Sequence, residues 1–253
     1  MTTSADPRRL YDRTASRWVR TEPRLLSDYS ARPRVVEVLG DLRGLRVLDL
    51  GCGEGYMARM LLDGGASEVV GIDISREMIS AAKLATTNER AQFSACDLRG
   101  GLPTLNGEFD IILAIFLFNY LTDSEVSAVM TELTAVLRPG GRVVVTIPHP
   151  LLPHLKRSDA SRAVFDFPSE RPYLSHDNSS LAGFILDADG EQIEVLAVSR
   201  TIESILGAVC LREWRLCQCL ELGLPDEDVP ECFKPLRGDP LHMLFVFESS
   251  RYS

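Results

Sequence analysis

Lysine is nearly missing from this 253-residue chain: Lys83, Lys156 and Lys234 are the only three. Arginine makes up the rest of the 27 basic residues, interspersed among 36 acidic ones, for a formal net charge of −9. A nucleic-acid groove needs clustered cations, so no nucleic-acid partner is expected. The lysine deficit is itself a codon signal, pointing to a GC-rich bacterial genome, and not a physical one. No early apolar run is long enough for a signal peptide or a membrane span, which makes the cytoplasm the expected compartment and leaves the membrane out. The six cysteines, Cys52, Cys96, Cys210, Cys217, Cys219 and Cys232, include no C-x-x-C pair. Zinc-finger spacing is therefore missing, and free thiols in a reducing compartment are expected, several of them buried as small hydrophobes. Repeats and low-complexity tracts are also lacking.

What remains is ordinary for one globular domain with a cap: 45% hydrophobic and 25% charged residues. The informative run is Val47 to Leu61, VLDLGCGEGYMARML. Val47 to Leu50 reads as a strand buried on both faces. Gly51, Gly53 and Gly55 then leave no Cβ at the turn, so the backbone can pass through positive φ and approach a ligand closely. Met57, Met60 and Leu61 follow at helical spacing. Strand, glycine turn and helix together make a nucleotide-type crevice.

Spacing separates the families that use such a turn. A dinucleotide fingerprint needs a small residue where Tyr56 stands. A Tyr-x-x-x-Lys pair is absent too, which argues against a short-chain NAD(P)-dependent oxidoreductase. The order Asp49-Leu50-Gly51-Cys52-Gly53-x-Gly55 instead resembles motif I of the class I S-adenosylmethionine (SAM) methyltransferases. Val69 to Asp73 reads as a second strand ending in an acid. An acid about 20 residues beyond the first glycine is where a ribose diol is held, since a carboxylate accepts from two vicinal hydroxyls. The resemblance places Ile74 and Met78 against the adenine. It places Cys96, Asp97 and Leu98, after a third strand starting at Phe93, at the adenine edge. Phe109 to Phe116 resembles motif IV, with Ala114, Ile115 and Phe116 toward the methionine part. LRPGG at Leu137 to Gly141, before the β-branched strand Val143 to Ile147, is frequent in the family. The matches span roughly Leu45 to Ile147.

The expected fold is α/β, a Rossmann-like, seven-stranded, mostly parallel sheet with helices on both faces and a cap insertion after the fifth strand. Residues 1–30 are expected as a helical leader, with Tyr11 and Trp18 either lining the methyl-transfer site or packing on the core. Residues 31–148 are the SAM-binding core, 149–200 the cap, and 201–253 complete the sheet. Pro150 to Ser180 reads as an irregular lid. Asp187 to Gly190 reads as the turn of a hairpin between Phe184 and Val195.

The resemblance implies methyl transfer to an O or N, less readily C, nucleophile of a small-molecule substrate in bacterial specialised metabolism. In-line displacement depends on positioning, and a base is needed only where a hydroxyl must lose its proton. His149 is the base candidate, because it follows the fifth strand at the crevice end; a loop histidine bonded to backbone is the alternative. His154 and His176 in the cap are weaker candidates, and His242 reads as structural. Asn119 and Tyr120 after the fourth strand are placed to contact substrate. The Asn/Asp-Pro-Pro-Tyr motif of nucleic-acid amino-methyltransferases is missing, and Ala114 stands where catechol-type enzymes carry a metal acid, so no metal is expected. A non-catalytic SAM-binding module is the rival reading. The sequence does not choose between monomer and homodimer.

Overall fold

The computed structural model describes residues 6–175, 177–209, 213–226 and 229–250. His176 and Cys210, named above, lie outside them. In chain order the elements are α1 (Pro7–Trp18), α2 (Leu26–Ser30), α3 (Arg32–Leu39), β1 (Arg46–Leu50), α4 (Tyr56–Asp63), β2 (Glu68–Asp73), α5 (Arg76–Ala85), β3 (Ala91–Ala95) and β4 (Phe109–Ile115). There follow α6 (Asp123–Leu133), β5 (Leu137–Pro148), α7 (Asp159–Arg162), β6 (Phe165–Asp166), β7 (Ser180–Leu186), β8 (Gln192–Val198), α8 (Ile202–Val209), β9 (Trp214–Leu222) and β10 (His242–Ser249).

Seven strands form one sheet in the order β3-β2-β1-β4-β5-β10-β9. All pairs are parallel except those made by β10, which runs antiparallel to both β5 and β9. The chain works outward from β1 to β3, then crosses back to place β4 on the other flank of β1. That reversal opens a crevice beyond the carboxyl ends of β1 and β4, where ligands bind in open α/β sheets.

The pleat sends alternate residues to opposite faces, and two apolar cores result. Leu48 and Leu50 pack with Val126, Met130 and Leu133 of α6 and Ile205 of α8. Val47, Val69 and Ile111 pack with Val35 of α3, Leu61 of α4 and Ile79 of α5. Strands covered on both faces must read as continuous apolar runs, which is why β1 and β4 were visible in the sequence.

β6, β7 and β8 form a separate three-stranded antiparallel sheet. Its hairpin turns at Asp187–Gly190, with Gly190 at φ 80°. The preceding segment is less irregular than the sequence suggested. Phe165 and Phe167 are buried in a third core with Leu26, Val195 and Phe233. The cap is thus packed onto both the leader and the 231–241 stretch. Among the described residues no helix is long and apolar enough to cross a membrane.

Of the several thiols expected to be buried, Cys52 is fully so and Cys96 and Cys232 partly, while Cys217 and Cys219 stand exposed on the edge strand β9.

Candidate functional site

The glycine turn is pinned before it can bind anything. Gly51 and Cys52 donate their N–H groups to the Ile72 carbonyl at 2.7 and 3.0 Å, tying the turn to β2. Gly51, Gly53 and Gly55 have φ of 71°, 54° and 79°, values that side-chain-bearing residues rarely adopt. Nothing lies within 4 Å of where a Cβ on Gly53 would stand, so its backbone faces open space. Gly55 serves differently: a Cβ there would meet Phe93 Cζ at 3.1 Å and Ala82 Cβ at 3.2 Å. It permits close helix–strand packing and does not line the crevice, contrary to its expected place among the cofactor contacts.

Asp73 closes the turn from β2. Its carboxylate accepts from Gly53 N–H and Ser75 N–H, both at 2.9 Å, and each oxygen keeps a further lone pair. Burial raises its pKa, opposed by those same N–H bonds. Ser75 caps α5 by accepting from Met78 N–H at 3.1 Å, and donates to Asp12 of the leader at 2.6 Å. Asp97 accepts from the Arg99 backbone at 3.1 Å and guanidinium at 2.9 and 2.7 Å, which holds its carboxyl below the usual range.

One crevice gathers most of the expected residues. Tyr11, Asp49, Gly51, Cys52, Gly53, Asp73, Ile74, Met78, Cys96, Asp97, Leu98, Ile115 and Phe116 all line it. Ala114 does not. It is fully buried, and the pleat turns it into the α6–α8 core while Ile115 faces the other side. Phe116 has φ 57°, an uncommon conformation for a bulky residue at the strand end.

His149 is also absent from this crevice. Only 1% of its surface is exposed and both ring nitrogens are engaged. Nδ1 accepts from Leu151 N–H at 3.2 Å, so Nε2–H donates to Glu221 at 3.0 Å. The ring is a loop brace, and the base expectation fails for a geometric reason. Pro148 lines the crevice, and the next side chain along an extended chain points away. The residue paired with Pro148 across the ladder is His242, and paired residues share a face. His242 lines the crevice in place of His149. His154 lies outside the crevice, against Tyr173.

Sequence reasoning also missed a cationic network. Arg20, just after α1, is buried, donating to both oxygens of Asp28 at 2.8 and 2.9 Å and to Glu54 of the glycine turn at 3.0 Å. Its guanidinium lies 4.1 Å from the centre of the Tyr56 ring. Arg59 meets the other oxygen of Glu54 at 2.6 Å. Arg32, paired with Asp28 at 3.0 Å, lines the crevice with its Nε unpartnered among the described residues. Asp49 is 1% exposed with Oδ2 unpartnered, and burial lifts its pKa to about 7 against the pull of Arg32. No motif marks these residues, since they come from separate segments joined only by folding.

The leader and cap roof the crevice. Tyr11 and Trp18 line it, and the Tyr11 hydroxyl bonds that of Tyr120. Asn119 lines it and donates to the Leu196 carbonyl of β8 at 3.3 Å. Phe165, Phe167, Ile185 and Val195 form the cap side.

Residues 47–141 match a family described as a methyltransferase domain. The demethylmenaquinone methyltransferase of Lactococcus lactis is 37% identical over 137 residues, covering 50% of this chain and 52% of that protein. A ribosomal protein L11 methyltransferase of Burkholderia thailandensis is 37% identical over 105 residues, covering 41% of this chain and 32% of that protein. The chain thus spans about half the length, or less, of these curated relatives. The crystal structure of an S-adenosylmethionine-dependent methyltransferase from Mesorhizobium loti superposes with TM-score 0.64 at 24% identity, covering 85% of this chain and 95% of that one. Glycine turn, acid-ended second strand and sheet order agree with these matches: residues 47–141 match a methyltransferase domain, and the chain has the fold of the S-adenosylmethionine-dependent methyltransferases.

Proposed function

We propose that this protein transfers the methyl group of SAM to an O or N, less readily C, nucleophile of a small, largely apolar metabolite. The observation that carries the reading is the continuity of the crevice. Its glycine-turn half runs without a wall into an apolar half roofed by α1 and the cap sheet. The space within it, counted out to the open mouth, is about 1450 Å³. Asp73 and Gly53 at one end and Phe165, Phe167, Ile185 and Val195 at the other line this one space, so a cofactor and an acceptor can meet in it. The roof favours a small molecule over a protein side chain. It also favours an enzyme over a module that only binds the cofactor.

The residues present fit SAM. Asp73 offers free lone pairs for a ribose diol, and Gly53 leaves open space beside the turn. Asp49 and Arg32 both line the crevice, a carboxyl suited to an ammonium and a guanidinium suited to a carboxylate. Ile74, Met78 and Leu98 supply apolar surface for the adenine. Bound there, SAM supplies an electrophilic methyl group on a sulfonium. The chain contributes orientation, through Asp73 and Phe116, and exclusion of water, through the leader and cap. We place the reaction in the cytoplasm and in specialised metabolism, the latter resting on the codon skew and the cap alone.

Calorimetry with S-adenosylhomocysteine and, separately, NADH tests the reading. Binding of the former alone is expected. Binding of NADH, or of neither, overturns it.

A further inference from the structure

Among the described residues His242 is the one histidine that the fold brings to the crevice, and its environment fixes what it can do there. The Ser30 hydroxyl donates to the Leu26 carbonyl at 2.9 Å, the ordinary back-bond of a helical serine. Its single proton is thereby committed. With that proton on the Leu26 carbonyl, the 2.9 Å contact between Ser30 Oγ and His242 Nδ1 is donated by the ring. This leaves Nε2 unprotonated, a bare acceptor. Nε2 has no hydrogen-bond partner among the described residues, and it is not among the fully sealed orphan atoms of the interior. The ring keeps 3% of its surface, and it lines the crevice.

Two aromatic rings hold the imidazole in place. Phe116 meets it edge-on at 4.9 Å between centroids, and Phe165 of the cap lies at 5.8 Å. Phe116 follows the fourth strand on the cofactor side, and Phe165 belongs to the acceptor side, so His242 stands between the two halves. Burial, then the neighbouring Arg32 and His149, hold its pKa down to about 3. The ring is therefore neutral throughout the physiological range, and it does not become a donor.

Resting on the methyltransferase reading above, we propose that His242 Nε2 is the hydrogen-bond acceptor that selects and orients the methyl acceptor. The substrate class is a flat, apolar molecule carrying a hydroxyl or N–H at its reacting end. Its body lies against Phe165, Phe167, Ile185 and Val195, and its donor points at Nε2. A neutral acceptor-only ring accepts such a donor and turns away a molecule offering only a carbonyl or ether at that point, since two lone pairs would then face each other in a dry site. Ser30 is a positioning residue, acting only through the tautomer.

The test uses the full chain saturated with S-adenosylhomocysteine and two probes of matched shape, 2-naphthol and 2-methylnaphthalene. The wild type is expected to bind 2-naphthol about tenfold more tightly, the worth of one neutral hydrogen bond. His242→Phe is expected to reduce that preference to near unity while its affinity for S-adenosylhomocysteine stays unchanged, which also reports folding. In 15N-histidine NMR of the wild type, the His242 signals should show the Nδ1–H tautomer, and the Nε2 signal should move on addition of 2-naphthol. Ser30→Ala should shift the tautomer ratio toward Nε2–H and lower the preference. Equal preference in wild type and His242→Phe, no binding of 2-naphthol, or an Nε2–H tautomer in the wild type overturns the assignment. Failure to bind S-adenosylhomocysteine overturns the methyltransferase reading instead, so the two failures are distinguishable.

Discussion

Replacing Asp49 by Asn should stabilise the protein at alkaline pH and weaken its grip on the cofactor. Asp49 lies on the strand that leads into the glycine turn, with one carboxyl oxygen unpartnered among the described residues. Burial is the main cause of its displaced pKa, with Arg32 opposing and Asp73 adding to the rise. The carboxyl titrates at about 7 in the folded chain against an ordinary 3.8. The folded pKa is raised, so the folded state binds this proton more tightly than the unfolded one. The associated stability is complete below about pH 4 and is lost as pH climbs through 7. Three units at about 1.4 kcal/mol each give an upper bound of roughly 4 kcal/mol. Asn is neutral at every pH and escapes this loss. Urea unfolding of both proteins at pH 4 and pH 8 is the assay, read as the change in their stability difference. A gain by the variant of about 2–4 kcal/mol at pH 8 relative to pH 4 is expected. Parallel pH dependence would refute the claim that an ionised, poorly compensated carboxylate lies under the turn. In the same variant, S-adenosylhomocysteine should bind more weakly, since a strained group kept at a site is kept for its ligand.

Asp73→Ala removes the acceptor proposed for the ribose and releases Gly53, and should weaken S-adenosylhomocysteine binding by about 1–3 kcal/mol in calorimetry; an unchanged affinity removes Asp73 from the site. Arg20→Ala strands Asp28 and the buried Glu54 without this partner, and should cost about 3–5 kcal/mol in chemical denaturation. Its leader should also become susceptible to limited proteolysis near Trp18, and resistance equal to the wild type would mean that the leader is held by other contacts. Gly71→Ala sets a Cβ 2.6 Å from Phe93 Cδ1 and 2.9 Å from Cys52 Sγ, so it should destabilise by about 1–3 kcal/mol. Because Cys52 lies in the turn, cofactor affinity should fall with stability; a fall in stability alone would show that Phe93 absorbs the shift.

The cofactor half of the crevice was legible because its parts are local. Gly51 to Gly55 are contiguous, and the turn conformation is written in residues without a Cβ. Asp73 is one strand and one helix away, a distance fixed by the βαβ repeat. Ala114 departs from expectation because of the pleat. Ala114 and Ile115 are adjacent, both apolar, and only the sheet decides which faces the core. Gly55 departs for a different reason: at the start of α4 it is required by the close approach of Phe93 and Ala82 and not by a ligand.

The acceptor half resisted for the opposite reason: each contact joins segments with no periodic relation. Arg20 reaches Glu54, Asn119 reaches the backbone of Leu196, and Ser30 reaches His242 across more than two hundred positions. The histidine error is the most instructive. The fifth strand does stop at the crevice, as its sequence position implies. Pro148 takes the inward position there and puts His149 outward. An antiparallel last strand then brings a second histidine opposite Pro148 with the inward orientation. A sheet parallel throughout would have ended its last strand at this edge, not begun it there, so the reversed direction of β10 is what gives the crevice an imidazole. The lining of that half is therefore a property of strand direction and cap docking, and neither is written in a local pattern.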